Sequence, residues 1–267
     1  MADDKTEKVL TRIWLEEPEP DNAFATRAAY CHGFDVYGEM LGRASWSDML
    51  YLLFLGETPS RQQATLLNAL AVALANAGPR DPAVHAAMCA GVGGSTAAAS
   101  LMAALAVGAG QHTGAREVLL SMQLWTECGV DLTAWRRRLS EPRSDVAGIW
   151  PEAAHLPGFD PHAQRVSVPV RQALSCLASF GVGGCLSWLE AHRPSLEAVA
   201  GKPLSMVGVA AAGFIDLGLT PEQGEMLYLL LRLPGAAVHA LEQRQVGHRN
   251  FPFFALELEN DPLKEAA

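Results

Sequence analysis

The glycine-rich segment from Gly108 to Glu117 carries the residue whose type and setting point most directly to chemistry. Its sequence is Gly-Ala-Gly-Gln-His-Thr-Gly-Ala-Arg-Glu, with His112 near the middle. Glycines interrupt a helical background here, and backbone N–H groups can approach a ligand closely where no side chain intervenes. We therefore expect His112 to lie beside a ligand, where two helices meet. The alternative is a buried histidine that is held by backbone carbonyls.

The bulk composition is typical of a folded protein that is not a general nucleic-acid binder. The 267 residues suffice for one large domain, or for a large and a small one. Apolar residues make up 49% and charged residues 18%, which excludes global disorder. The net charge of −9 opposes the basic surface that nucleic-acid binding needs, although it is compatible with a local basic pocket for an anionic ligand.

Cysteine usage and hydropathy predict a cytoplasmic protein without a membrane span. The five cysteines lack Cys-x-x-Cys spacing, so we expect reduced, buried thiols and no metal site. The first eight residues lack the apolar core of a signal peptide. The nearest approach to a membrane span, residues 96–110, is short and rich in Ala and Gly. We expect it to form an internal helix that packs centrally.

Helical periodicity dominates the rest of the chain and predicts an all-α fold. One helix is predicted to begin near Trp46 and to stop at Gly56, with Ser60 capping the next. Asp131 is predicted to cap a later helix, and residues 220–223, Thr-Pro-Glu-Gln, form a capping box with Pro at the first helical position. Strand patterns are scarce, and the polar residues 1–22 are predicted to form a loose arm.

Four segments together resemble the citrate synthase superfamily. His32-Gly-Phe-Asp35, followed by the block 46–60, is similar to the family's Arg-Gly-Tyr-Asp and its SFxDMxYLLLxGELPS block. The segment 112–115 is similar to His-Gly-Gly-Ala. Residues 156–162 lie where the family has Pro-Gly-Phe-Gly-His and a basic residue, and residues 203–208 lie at its Asn-Val-Asp-Gly. Order and spacing carry this resemblance, because each motif alone is weak.

Two later motifs extend the resemblance to roughly residues 25–250. Residues 232–235 and 239–242 are similar to the family's RxPGxxAHxxEE. In length and wording the chain is most similar to the short members, such as citryl-CoA lyase and the matching domain of ATP-citrate lyase. The resemblance implies an all-α homodimer, with a large helical domain of residues 1–113 and 212–267. A smaller, mobile helical domain of residues 114–211 would close over a CoA thioester.

The resemblance implies citrate synthase-like or citryl-CoA lyase-like activity on a CoA thioester. The reaction would cleave or form a carbon–carbon bond, as a lyase or an acyltransferase, with acetyl-CoA, oxaloacetate or citryl-CoA as the type of substrate and a second substrate that stays open. The CoA thioester would be a substrate, and no metal is expected. The expected partners are the small-molecule CoA ester and a second copy of the chain, without nucleic acid or membrane.

Carbon–carbon bond chemistry beside a thioester needs a donor to the thioester oxygen, a base at the α-carbon and a donor to the ketone. The resemblance gives these roles to a His, an Asp and a second His. His112 matches the first, but the Asp position falls on Val207, which cannot accept a proton. The second His falls on Pro161 or, with a shift of one residue, on His162, while Asp160 stands where the family has Gly.

The candidate catalytic residues are therefore His112, His162 and Asp160. The last two could form a rebuilt acid–base pair, and the alternative is a polar surface loop. The candidate residues for binding substrate or CoA are Gly114, Ala115, Gly158, Phe159, Arg165, Arg232 and Arg249.

Arginines are the expected partners of carboxylates and phosphates. His32 replaces the arginine of the family's first motif, so Arg232, Arg244 and Arg249 are the candidates for gripping a carboxylate. Arg165 and Arg171 are the candidates for CoA phosphates. The alternative for each is an ordinary surface cation.

Two readings stay open because the catalytic Asp is missing. In one, the chain is an enzyme acting on a CoA thioester with a non-standard second substrate. In the other, it is a catalytically inactive paralogue that binds CoA esters or serves as a regulatory or structural subunit. The sequence alone leaves open whether the chain is an enzyme.

Overall fold

A computed structural model describes residues 10–140 and 156–250, and in these ranges the chain is mainly helical. The predicted all-α class is confirmed, apart from one small antiparallel sheet near the N-terminus. The α-helices are α1 (Trp46–Leu55), α2 (Arg61–Leu74), α3 (Pro82–Val92), α4 (Ala97–Gly108), α5 (Ala115–Cys128), α6 (Leu132–Ser140), α7 (Val168–Ala178), α8 (Cys185–Ala200), α9 (Met206–Asp216) and α10 (Pro221–Val246).

The predicted helix boundaries are confirmed where the sequence carries a cap. Helix α1 ends at Gly56, which is left-handed with φ +77°. Ser60 caps α2 through a capping box, and Asp131 accepts the Thr133 N–H at the start of α6 at 2.8 Å. Thr220 and Gln223 exchange hydrogen bonds at the start of α10. Local side-chain chemistry therefore sets these ends, because each cap satisfies an N–H that the helix cannot.

The first of two compact units comprises residues 1–76 and 108–232, and its core forms around α5 and α9. Residues 207–214 of α9 are all buried. Their small side chains allow α5 to pack closely, and α5 buries Val118, Met122 and Trp125. Helices α7 and α8 complete this core. The two central helices follow directly on two of the motif segments, and they position both segments.

The N-terminal hairpin corrects the prediction of a loose arm for the residues from Trp14 onward. Strands β1 (Trp14–Glu19) and β2 (Asn22–Cys31) pair antiparallel, and β3 (Phe34–Asp35) pairs with β2. Only the inner end of β2 is buried, at Ala29 and Cys31. The hairpin lacks apolar alternation because most of its length is exposed, so the sequence pattern missed it.

The second unit comprises residues 77–107 and 233–267, and its described part contains α3, most of α4 and the C-terminal part of α10. These helices meet through a cluster of buried alanines: Ala87, Ala104, Ala236 and Ala240. The predicted central packing of α4 is wrong, since Met102 is 61% exposed and most of one face is open. Small side chains permit close packing on every face but do not require it, because each of them buries little apolar area.

The division by contacts does not coincide with the expected large domain of residues 1–113 and 212–267 and small domain of residues 114–211, which stays a prediction. Among the described residues, no helix is both long and apolar enough to cross a membrane.

Candidate functional site

His112 lies in the connection between α4 and α5, three residues before α5 begins. Its side chain is exposed, so the alternative of a buried histidine is wrong. The next residue, Thr113, is left-handed with φ +60°. This conformation costs about 1–2 kcal/mol for a residue with a side chain, and the surroundings must hold it in place.

Both backbone polar groups of Thr113 are held by charged side chains. Its N–H donates to Oε2 of Glu117 at 2.6 Å, and its carbonyl accepts from Nη1 of Arg232 at 3.2 Å. Arg232 in turn lies over the Tyr228 ring, 4.9 Å from its centroid, and donates to the Tyr228 hydroxyl. The predicted ligand arginine is therefore part of the support of the His112 segment.

Glu117 is a buried carboxylate that joins two of the motif segments. It is 2% exposed and stands at the third position of α5. While Oε2 accepts from Thr113, Oε1 accepts the N–H of Gly158 at 3.0 Å. A carboxylate is tolerated in a core when hydrogen bonds replace its hydration, and these two bonds do so.

A short backbone pairing adds the fourth motif segment. Phe159 and Leu204 form an antiparallel bridge, flanked by bonds from Asp160 N–H to the Pro203 carbonyl (2.8 Å) and from Ser205 N–H to the Gly158 carbonyl (2.9 Å). The structure thus brings the segments 112–117, 156–160 and 203–208 together. We call this arrangement the Glu117 assembly.

Two predicted binding glycines are required by close packing. A Cβ at Gly114 would overlap the Gly110 carbonyl, which lies in the tight turn before α5. Gly158 has φ +89°, and a Cβ there would lie 3.1 Å from the Gly208 Cα. Ala115 and Phe159 are buried, at 0% and 3% exposure, so these two residues can offer a ligand only their backbone.

The segment after Phe159 is an ordered turn. Oδ1 of Asp160 accepts the N–H groups of His162 (2.9 Å) and Ala163 (3.1 Å). Lys202 donates to the Pro161 carbonyl at 2.7 Å. The His162 side chain is exposed and Asp160 is half-buried. The two candidate residues share one turn next to the Glu117 assembly, and Asp160 has a structural role in that turn.

Val207 is the second residue of α9 and is 5% exposed, so the position that the resemblance assigns to a catalytic Asp is a buried apolar one. The nearest carboxylate further along the helix, Asp216, serves another element. It accepts the N–H groups of Gly184, Cys185 and Leu186 at the start of α8.

The remaining predicted residues make none of these contacts. Arg165 is exposed before α7, and Arg249 is exposed in the 3₁₀ turn His248–Asn250 of the second unit. Arg244 lines a small apolar pocket of that unit, about 100 Å³ in volume. His32 lies between β2 and β3 with φ +48°, and its buried Nε2 has no hydrogen-bond partner.

Glu117 is the residue that the sequence analysis missed. Its signal was available, because an acidic residue at the third position of a helix often reaches back to the N–H groups before it. The sequence does not show that Gly158 is the second partner, because it lies 41 residues further along the chain.

Solved structures share this arrangement of helices. A citryl-CoA lyase from Hydrogenobacter thermophilus matches at 16% identity with a TM-score of 0.70, and the match covers 98% of this chain and 100% of that one. The chain has a citrate synthase-like fold. No protein-family model matches the sequence, and neither does any curated protein sequence.

Two further structures of this citrate synthase-like fold come from larger proteins. ATP citrate lyase from Methanothrix soehngenii, in complex with citrate and coenzyme A, matches at 16% identity with a TM-score of 0.72. A mutant ATP citrate lyase from Methanosaeta concilii, in complex with (3S)-citryl-CoA, matches at 15% identity with a TM-score of 0.69. The chain spans 43% of the length of each. At these identities the likeness concerns the fold.

Proposed function

We propose that this chain binds a CoA thioester at the Glu117 assembly and makes or breaks the carbon–carbon bond between the α-carbon and the β-carbon of the acyl group. The reaction is of the citryl-CoA lyase or citrate synthase type, with CoA thioester as substrate. The observation that carries the proposal is the assembly of three motif segments around one buried carboxylate. The full-length likeness to a citryl-CoA lyase supports it.

In this proposal His112 donates a hydrogen bond to the thioester oxygen. Cleavage or formation of the bond at the α-carbon puts the negative charge of an enolate on that oxygen. A positioned hydrogen-bond donor stabilises this charge. The exposure of His112 and the left-handed turn after it support this role. Arg232 lies within 3.2 Å of the same turn, and its positive charge favours an anionic substrate.

The proton transfers would fall to Asp160 and His162, since Val207 offers no base. The two belong to one turn that begins two residues after Gly158. Gly114 and Gly158 would let the thioester approach the backbone, and Arg165 would meet a phosphate or a carboxylate. We propose no metal in this reaction, because hydrogen-bond donors suffice to stabilise the enolate.

A second candidate function is a CoA-ester-binding subunit without catalysis. The buried Val207 in place of a carboxylate favours it, as does the structural role of Asp160 in its turn. Such a protein would keep the binding site and lack the base. It would act as a regulatory or structural relative of an active enzyme.

One titration experiment separates the two functions. The binding of CoA, acetyl-CoA and citryl-CoA is measured by calorimetry, and the same samples are assayed for oxaloacetate. His112→Ala should lower turnover about 10²-fold or more, as expected for loss of an oxyanion donor. The control is His248→Ala, which removes an exposed histidine of the second unit.

The outcomes point in different directions. Binding with oxaloacetate formation supports the enzyme, and loss of turnover in His112→Ala assigns its role. Binding without turnover supports the second candidate. Absence of binding to all three compounds would overturn both.

We also propose a cytoplasmic homodimer that closes a small domain of residues 114–211 over the ligand. The five cysteines are free thiols, which supports a reducing compartment. The open face of α4 and the exposed Leu241 support a second copy of the chain as partner. In the condensing direction the enzyme would be an acyltransferase.

A further inference from the structure

We propose that Glu117 is the positioning residue of this site and that its buried carboxylate sets the direction of His112. The inference rests on the proposed CoA-ester site for its chemistry. Its geometric part stands on the described contacts alone. Glu117 itself is too buried to touch a substrate, so it would act through the backbone that it holds.

Glu117 holds the peptide plane between His112 and Thr113. A peptide bond is planar, so a hydrogen bond to the Thr113 N–H also fixes the His112 carbonyl and limits rotation at the His112 Cα. The 2.6 Å bond from Thr113 N–H to Glu117 Oε2 is such a restraint. The Glu117 carboxylate therefore restrains the backbone from which the imidazole projects.

The backbone of Thr113 is strained, because its φ is positive. A β-branched residue with φ +60° relaxes to another conformation unless its neighbours prevent it. The restraints are the Glu117 bond on one side and the Arg232 bond on the other. Loss of the carboxylate removes the shorter of them and allows the turn to relax.

Position 117 needs a carboxylate, and an amide cannot replace it. The N–H groups of Thr113 and Gly158 both donate to Glu117, and they meet different oxygens of its carboxylate. A glutamine offers one acceptor oxygen and one NH₂ donor. It can satisfy only one partner and places a donor against the other. Glu117→Gln therefore keeps the shape of the side chain and breaks the link between the two segments.

The test compares Glu117→Gln, Glu117→Gln with Thr113→Gly, and the control Asp216→Asn. Asp216 is also a buried carboxylate that accepts backbone N–H groups, but it serves the start of α8. For each protein, calorimetry gives the Kd ratio of CoA to acetyl-CoA. This ratio reports the contact to the acyl oxygen and cancels effects common to both ligands. Hydrogen exchange of the Thr113 and Gly158 amides is measured in parallel.

The wild type should prefer acetyl-CoA, and Glu117→Gln should lower that preference about tenfold, as the loss of a charge-assisted bond predicts. Thr113→Gly should restore part of it, because glycine adopts the left-handed turn without the penalty. Asp216→Asn should leave the ratio unchanged. An unchanged ratio in Glu117→Gln, or an equal loss in Asp216→Asn, overturns the proposal.

The amide exchange separates this proposal from the proposed function. If the wild type binds neither ligand, the CoA-ester site fails, and so does the role of Glu117 in its chemistry. Exchange at Thr113 and Gly158 that is about tenfold faster in Glu117→Gln still supports the geometric restraint, whereas unchanged exchange overturns it. If Glu117→Gln does not fold, Glu117→Asp replaces it. Its shorter side chain cannot span both amides, so an unchanged ratio again contradicts the proposal.

Discussion

Val207 occupies the second position of α9 with a buried side chain, at a place where the proposed reaction calls for a base. In the proposed reaction, a carboxylate at this position would take the role that the resemblance assigns to a catalytic Asp, removal of the α-proton of acetyl-CoA. Its burial would cost more than the about 1–3 kcal/mol of an unpaired neutral group, because an ionised carboxylate loses its hydration without gaining partners. At position 207, valine therefore favours the stability of the fold, whereas a carboxylate would favour proton abstraction.

Val207→Asp should accelerate exchange of the acetyl-CoA methyl protons with D₂O, followed by NMR, about 10²-fold over the wild type. Val207→Asn is the matched control, since it has the same shape and cannot act as a base. Equal exchange in the two variants would mean that position 207 does not face the α-carbon.

At the scale of single residues, the candidate site was partly predictable from the sequence. The glycine-rich setting of His112 predicted a place where two helices meet, and His112 lies between α4 and α5 with an exposed side chain. The roles of Glu117 and Arg232 were not predictable, because each is set by a partner distant in sequence. Arg232 reaches Thr113 across 119 residues, and it lies at a turn rather than in an isolated ligand pocket.

At the scale of elements, the close approach of the Gly158 turn to α9 is the contact that holds two motif segments together. Gly158→Ala would combine a left-handed backbone with a Cβ 3.1 Å from the Gly208 Cα of α9 and 2.9 Å from the Ser121 hydroxyl of α5. Gly181 is the matched control, because it is also left-handed, with φ +65°, and no atom lies within 4 Å of its added Cβ.

Gly181→Ala should lower the free energy of unfolding by about 1–2 kcal/mol, from backbone strain alone. Gly158→Ala should lower it by a further 1–3 kcal/mol, about the cost of overpacking. Urea denaturation measures both. Equal losses would contradict the tight contact between the turn and α9.

The start of α8 depends on a distant carboxylate instead of a local cap. Gly184 offers no side chain, and Asp216 accepts three N–H groups there. Burial first, and the negative charge of Asp216 second, raise the pKa of the Cys185 thiol to about 12. The thiol is therefore protonated and unreactive near neutral pH.

Asp216→Asn should lower the pKa of Cys185, because it removes a negative charge that disfavours the thiolate. Alkylation by iodoacetamide at pH 8 to 9, followed by mass spectrometry, should then be faster at Cys185 and unchanged at the exposed Cys176. The raised pKa also means that Cys185 stabilises the fold fully below pH 9.0 and loses this contribution as the pH rises toward about 12. Unchanged alkylation would show that burial alone sets the pKa.

Elements with caps were predictable, and the hairpin was not. Ser60, Asp131 and Thr220 each mark a helix start by local chemistry, and each start is confirmed. The strands β1 and β2 have polar, mostly exposed sequences, and their pairing depends on the turn between Glu19 and Asn22. Hydrophobic periodicity reports burial, so it misses a hairpin that buries little.

For the whole molecule, the prediction of α4 as a central helix failed for a reason that bears on assembly. Small side chains allow close approach by any partner, whether in the same chain or in another. In the second unit, Met102 (61% exposed), Val238 (56%) and Leu241 (57%) present apolar surface to solvent. Large exposed apolar side chains on helices of one unit are typical of an interaction surface when they form a contiguous patch.

We therefore expect sedimentation velocity to show a dimer, twice the 28.5 kDa of the chain. Leu241→Glu should shift it toward monomer, because a charge buried in an apolar interface loses its hydration. Val72→Glu is the control, since Val72 is 73% exposed on α2 of the first unit. A wild-type monomer, or a dimer that resists Leu241→Glu and yields to Val72→Glu, would place the interface elsewhere. If the dimer also closes the site, Leu241→Glu should weaken acetyl-CoA binding together with association, and the two losses should share one dependence on protein concentration.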